Sequence, residues 1–129
     1  MTSLRRSVVA VVDDDYRVLE SLEELLESAG HSVRPFPSAK ALLEDDCLSE
    51  IDCLIADIGM PVVDGFELRR LARNARPELP VLFITGRHDP ADERRAIAQD
   101  YQGFFQKPFD GRALLAAVAQ AVRSCYRQG

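Results

Sequence analysis

Long apolar runs are missing from this chain of 129 residues. Runs such as Val8-Val9-Ala10-Val11-Val12 and Val81-Leu82-Phe83-Ile84 fall far short of the roughly 20 residues that cross a bilayer, so no membrane span is expected. No secretory leader is expected either: Arg5 and Arg6 precede a short apolar run, but Asp13 to Asp15 follow at once without a small-residue cleavage site. Basic residues are in deficit. Lys plus Arg number 16 against 21 Asp plus Glu, a net charge of −5, which argues against direct nucleic-acid binding by this segment. Cysteine is scarce: Cys47, Cys53 and Cys125 are odd in number and lack C-x-x-C spacing, and neither His31 nor His88 sits near a second soft ligand, so no disulfide framework or zinc site follows. Neither G-x-G-x-x-G nor G-x-x-x-x-G-K-[ST] occurs, which leaves dinucleotide and Walker-type sites unsupported. The expectation is a soluble, cytoplasmic protein in a reducing compartment.

Apolar residues make up 47% and charged residues 29%, a globular balance, and the length suits one domain spanning 1–129 with its core at about 7–125. Short apolar runs alternate with helical patterns about five times, which predicts parallel strands joined by crossover helices in an α/β fold. Strands are expected at 7–12, 32–36, 51–56, 81–84 and 103–106. Val18, Leu19, Leu22, Leu25, Leu26 and Ala29 recur at spacings of three and four, the stripe of a first helix stopped by Gly30. Ser38 caps a short second helix, and Phe66, Leu68, Leu71, Ala72 and Ala75 mark a third. Asp89 followed by Pro90 opens a charged helix over 90–99 with a thin apolar face, and Asp110 opens the last helix.

Asp13 and Asp14, Asp57, Thr85 and Lys107 each fall directly after a predicted strand. In a parallel open sheet every strand's carboxyl end lies on one edge, and ligands sit where the strand order reverses, beside the first and third strands for five βα units. Asp13, Asp14 and Asp57 are therefore expected to line one crevice. Close carboxylates repel, and Mg²⁺ answers that charge because it takes hard oxygen ligands, keeps waters and bridges carboxylates to phosphate. Lys107 adds a permanent positive charge, and the Thr85 hydroxyl can hydrogen-bond a phosphoryl oxygen. The set suits a phosphoryl group on Asp57, whose carboxylate acts as nucleophile. Asp15 alone is accounted for by helix-start electrostatics, worth ~0.3–1 kcal/mol.

These residues resemble the receiver domain of two-component response regulators across about 7–125. The carriers are Val11-Val12-Asp13-Asp14-Asp15, Asp57-Ile58-Gly59-Met60-Pro61 with Asp64-Gly65, Ile84-Thr85-Gly86 and Lys107-Pro108-Phe109, in order and at the right spacing. The resemblance implies a doubly wound (βα)5 three-layer sandwich, flavodoxin-like, with a five-stranded parallel sheet of order 2-1-3-4-5. It implies Asp57 as phospho-acceptor, Asp13 and Asp14 as the acidic pair for Mg²⁺ or Mn²⁺, the Gly59 backbone carbonyl as a further metal ligand, and Thr85 with Lys107 as the phosphoryl-sensing pair. A cis Lys107-Pro108 bond, a switch of Thr85 and Phe104, and a donor that is a sensor histidine kinase or phosphotransfer protein follow from the same likeness. So does an output surface of the 90–99 helix, the last strand and the final helix, facing an output domain or a dimer partner. Two positions depart from many relatives: Gly59 gives little cover to a phosphoryl group and Arg87 could reach over it, so both are expected to set phosphate lifetime.

An aspartyl phosphohydrolase needs an acid two residues beyond its nucleophile, and position 59 is Gly. The chain is thus expected to perform only its own phosphotransfer and autodephosphorylation, not turnover as an enzyme. A flavin phosphate would be repelled by Asp13-Asp14-Asp15. A phosphorylation-independent adaptor with the same fold remains the alternative. The run Lys107-Pro108-Phe109-Asp110 resembles receivers that precede helix-turn-helix modules, and a lone receiver and a piece of a longer regulator both stay open.

Overall fold

Each strand is short and β-branched or aromatic in part, and the Val8–Val12, Cys53–Asp57 and Val81–Thr85 runs are apolar on both sides, the pattern of a parallel strand covered on two faces. The computed structural model describes residues 6–86, 89–98 and 103–128, with side chains as far as 123. The strands are β1 Val8–Val12, β2 Ser32–Phe36, β3 Cys53–Asp57, β4 Val81–Thr85 and β5 Gly103–Gln106. All neighbours pair in parallel, in the order β2-β1-β3-β4-β5. The chain steps from β1 outward to β2, then returns past β1 to β3, so the strand order reverses between β1 and β3.

Among the described residues four helices fill the crossovers, α1 Tyr16–Ser28, α2 Ala39–Asp45, α3 Gly65–Ala75 and α4 Pro90–Ala98, and α5 Gly111–Gln128 follows the last strand. The two-residue period of the strands divides the core. Val9, Val11, Cys53, Ile55, Leu82 and Ile84 face α1 and α5 through Leu19, Leu22, Leu26, Leu114 and Val118. Ala10, Val12, Leu54, Ala56, Val81 and Phe83 face the opposite layer through Ala39, Leu42, Phe66, Leu68, Ala72 and Ala96. The alternation predicted the parallel α/β arrangement, and the result is the doubly wound, flavodoxin-like three-layer sandwich that the resemblance implied.

Local capping chemistry sets the helix starts. Asp15, Ser38 and Asp64 accept hydrogen bonds from the amides of Arg17, Ala41 and Glu67, and Asp89 and Asp110 do the same for Ala91 and Arg112. The α4 contact is thin as expected, with Ala96 its one buried residue. Gln99, Arg87 and His88 lie outside the described residues, as does the side chain of Cys125, while Cys47 and Cys53 are buried and not joined in a disulfide. No described helix is long and apolar enough to cross a membrane.

Two strands end later than expected. Asp57 and Thr85 are the last residues of β3 and β4 rather than the residues after them, and β3 begins at Cys53 rather than at 51. The ladder continues that far because Asp57 pairs with Ile84 and the Ile58 amide still donates to the Ile84 carbonyl at 3.0 Å.

Candidate functional site

Asp13 follows β1, and its amide donates to the Phe36 carbonyl at 3.2 Å, which ties it to β2. Its side chain is completely buried, with Oδ1 accepting from the Asp15 amide at 2.8 Å. Asp14 beside it is exposed, and Asp57 at the end of β3 is buried. One carboxylate oxygen from each of Asp13, Asp14 and Asp57 lies within 4.8 Å of the others. Reversal of strand order between β1 and β3 brings them together across more than forty positions of sequence.

Lys107 enters from the residue after β5. Its amide donates to the Thr85 carbonyl at 2.8 Å, and the Lys107-Pro108 bond is cis. Its Nζ stands 2.7 Å from Asp13 Oδ2 and 3.5 Å from Asp57 Oδ2. The ammonium thus sits close to two of the acids, nearer to Asp13 than to Asp57. Burial pulls the Lys107 pKa down, but the contacts with Asp13 and Asp57 outweigh it and hold the group above its ordinary value. Burial pushes the Asp13 carboxyl up to about 6 against the opposing pull of Lys107 and the Asp15 amide, with the Asp57 charge adding to the rise.

The residues suit a hard divalent cation. Asp13 Oδ2 is buried without a well-directed hydrogen bond and has the Lys107 ammonium beside it, so it retains acceptor capacity toward the acidic trio. Mg²⁺ holds oxygens at about 2.1 Å and spans about 4.2 Å across its octahedron, close to the spread of the three oxygens. Mg²⁺ needs few protein carboxylates, because it completes its octahedral shell with water.

The acceptor loop closes back on its own strand. Gly59 donates its amide to Asp57 Oδ1 at 3.0 Å, and a side chain at Gly59 would stand 3.6 Å from that oxygen, so the loop lies directly over the carboxylate. Gly65 at the start of α3 is pressed on the Asp57 backbone: a Cβ there would meet the Asp57 carbonyl oxygen at 2.8 Å and Ile58 Cα at 2.9 Å. Only glycine fits that approach. Thr85 is 1% exposed at the edge of the same site.

Phe104 and Phe105 are both half-buried and point to opposite layers, Phe104 toward the core that holds Phe83 and Phe105 toward the one that holds Leu82. Each therefore packs against one of the two layers. Asp64-Gly65 was among the residues that carried the resemblance, whereas nothing in the sequence marks Val62, since the sign of φ has no periodic signature.

A family model described as response regulator receiver domain matches residues 9–119. The response regulator protein TodT of Pseudomonas putida is 37% identical over 124 residues, covering 96% of this chain and 55% of its own length. The transcriptional regulatory protein FixJ of Azorhizobium caulinodans is 35% identical over 121 residues, covering 94% and 57%. The chain therefore spans about half the length of these curated relatives. Among solved structures, the response regulator StyR superposes with a TM-score of 0.86 at 35% identity, covering 96% of this chain and 63% of StyR. A response regulator receiver domain protein from Clostridium thermocellum gives 0.86 at 24% identity, covering 95% and 99%, a likeness of fold.

Proposed function

The chain belongs to the response regulator receiver domain family, and from that premise we propose that it accepts a phosphoryl group on Asp57 from the phosphohistidine of a sensor histidine kinase or phosphotransfer protein. The observation that carries this reading is the acidic trio with the Lys107 ammonium 3.5 Å from Asp57 Oδ2, at the sheet edge where strand order reverses.

In the transfer, a carboxylate oxygen of Asp57 forms a bond to phosphorus while the phosphorus–nitrogen bond of the donor breaks and the imidazole nitrogen leaves with the electron pair. Mg²⁺, when bound by Asp13, Asp14, Asp57 and the Gly59 carbonyl, would neutralise charge on the phosphoryl oxygens. Lys107 supplies a fixed positive charge toward the same oxygens, and the Gly59 amide orients the acceptor carboxylate. Thr85 stands at the end of β4 where its hydroxyl meets a phosphoryl oxygen, and Phe104, pairing on the β4 edge through Phe83, repacks in response. That repacking is read on the face of α4, β5 and α5 by an output domain or a second receiver. Water later attacks the phosphorus and returns free carboxylate and inorganic phosphate, so the chain chemically modifies itself rather than turning over a substrate. Because FixJ is a transcriptional regulatory protein, we assign control of transcription to a longer protein carrying this chain. The same reading places it in the cytoplasm.

Incubation with Mg²⁺ and a small acyl phosphate or phosphoramidate, followed by intact mass measurement, tests the proposal. One added phosphoryl group is expected, absent in Asp57→Asn and without Mg²⁺. An unmodified wild-type mass would instead favour the phosphorylation-independent adaptor.

A further inference from the structure

Between the buried Met60 and the α3 cap Asp64, the acceptor loop reverses within three residues. The Val63 amide donates to the Pro61 carbonyl at 2.8 Å, closing a γ-turn whose central residue, Val62, has φ 68°. That is the rarer, positive-φ form of the turn. Among the described residues, Asp46 is the other non-glycine at positive φ, and it is an aspartate at a helix C-cap, a type that tolerates this region. A β-branched side chain does not. The Val62 side chain is also wholly exposed, at 104%, so packing within the chain does not hold it there.

What holds it is the pair of anchors on either side. Ile58 and Met60 are buried, Gly59 is bonded to Asp57 Oδ1, Pro61 has a locked φ, and beyond Val62 the Asp64 side chain caps α3 while Gly65 rests on the Asp57 carbonyl. The chain must leave Asp57 and come back to it within eight residues, and the left-handed turn at Val62 is where it does so.

We propose that Val62 is a positioning residue: its strained turn folds the loop back so that Gly59 is pressed onto the Asp57 carboxylate and its carbonyl is offered to the metal. This rests on the acceptor reading of Asp57, yet it makes a separate prediction in the metal-free protein. Asn adopts the left-handed region at lower cost than Val, whereas Pro forbids it.

Amide hydrogen exchange of Gly59, referenced to β1 amides in the same metal-free chain, reads the positioning. Val62→Asn is expected to raise the melting temperature and keep Gly59 protected, and Val62→Pro to speed Gly59 exchange at least tenfold relative to β1 and weaken Mg²⁺ binding at least tenfold. Gly59 protection unchanged in Val62→Pro would overturn the proposal. If the Pro variant fails to fold, Val62→Asn still decides: a melting temperature equal to or below wild type would show that no strain is held at Val62. Exchange is read without metal or phosphodonor, so its failure is distinguishable from a failure of wild type to gain mass.

Discussion

Lys107 carries the countercharge of the acidic trio, and at the scale of single residues it should be the most costly surface-reaching side chain to remove. Truncation leaves Asp13, fully buried, without the ammonium at 2.7 Å. Breaking one side of a dry ion pair costs about 3–5 kcal/mol, and the partial exposure of Lys107 reduces that to about 1–3 kcal/mol. Lys107→Ala should therefore lower the urea midpoint in chelator, and Mg²⁺ should recover part of the loss because a second cation takes over the charge. An unchanged midpoint in chelator would show that the carboxylates are compensated elsewhere. Asp13, Asp14, Asp57 and Lys107 were legible in the sequence because each sits at or just past the end of an apolar run, where topology rather than local propensity decides the neighbours. Val62 was not: residue type there favours an ordinary negative φ, and the long-range anchors at Asp57 and Asp64 override it.

At the scale of elements, α3 is the piece most directly joined to the acceptor. Its cap Asp64 accepts from the Glu67 amide at 2.9 Å, and its first residue Gly65 abuts the Asp57 carbonyl. Loss of such a cap costs about 1 kcal/mol within a range of about 0.5–2 kcal/mol. Asp64→Ala should lower stability by that amount in urea titration and also speed exchange of the Gly59 amide, whereas Ser38→Ala, which uncaps α2, should cost a similar amount and leave Gly59 alone. Equal Gly59 exchange in the two variants would separate α3 from the acceptor loop. Helix and strand identities were readable here because the apolar stripes of α1 and α3 are strong and the strand runs are bounded by turn residues. The ends of β3 and β4 were read one residue short, since the polar Asp57 and Thr85 resemble turn starters locally and only cross-strand pairing keeps them in the ladder. The weak element was α4, whose nearly polar surface leaves it attached through Ala96 and the stacking of Arg95 over Phe66 at 4.3 Å.

For the whole molecule, the sheet order converts remote acids into one charge problem, and a divalent ion is the natural remedy. A ligand bound only to the folded state stabilises it by about 2.7 kcal/mol at a hundredfold excess over its dissociation constant. Mg²⁺ should accordingly raise the unfolding free energy of the entire domain, and chelator should reverse the gain. Asp14 separates metal from fold because its side chain is exposed, unlike that of Asp13, which is sealed in the core side of the site. Asp14→Asn removes one carboxylate from the trio without opening a cavity or orphaning a buried charge, so the chelated protein should unfold within about 0.5 kcal/mol of wild type. Its Mg²⁺-dependent gain should shrink by more than half. If the gain survives intact in Asp14→Asn, the ion sits elsewhere and the exposed aspartate is only a neighbour of the helix start; if the chelated protein itself is crippled, Asp14 belongs to the fold and the division between architecture and ion site drawn from its exposure is wrong.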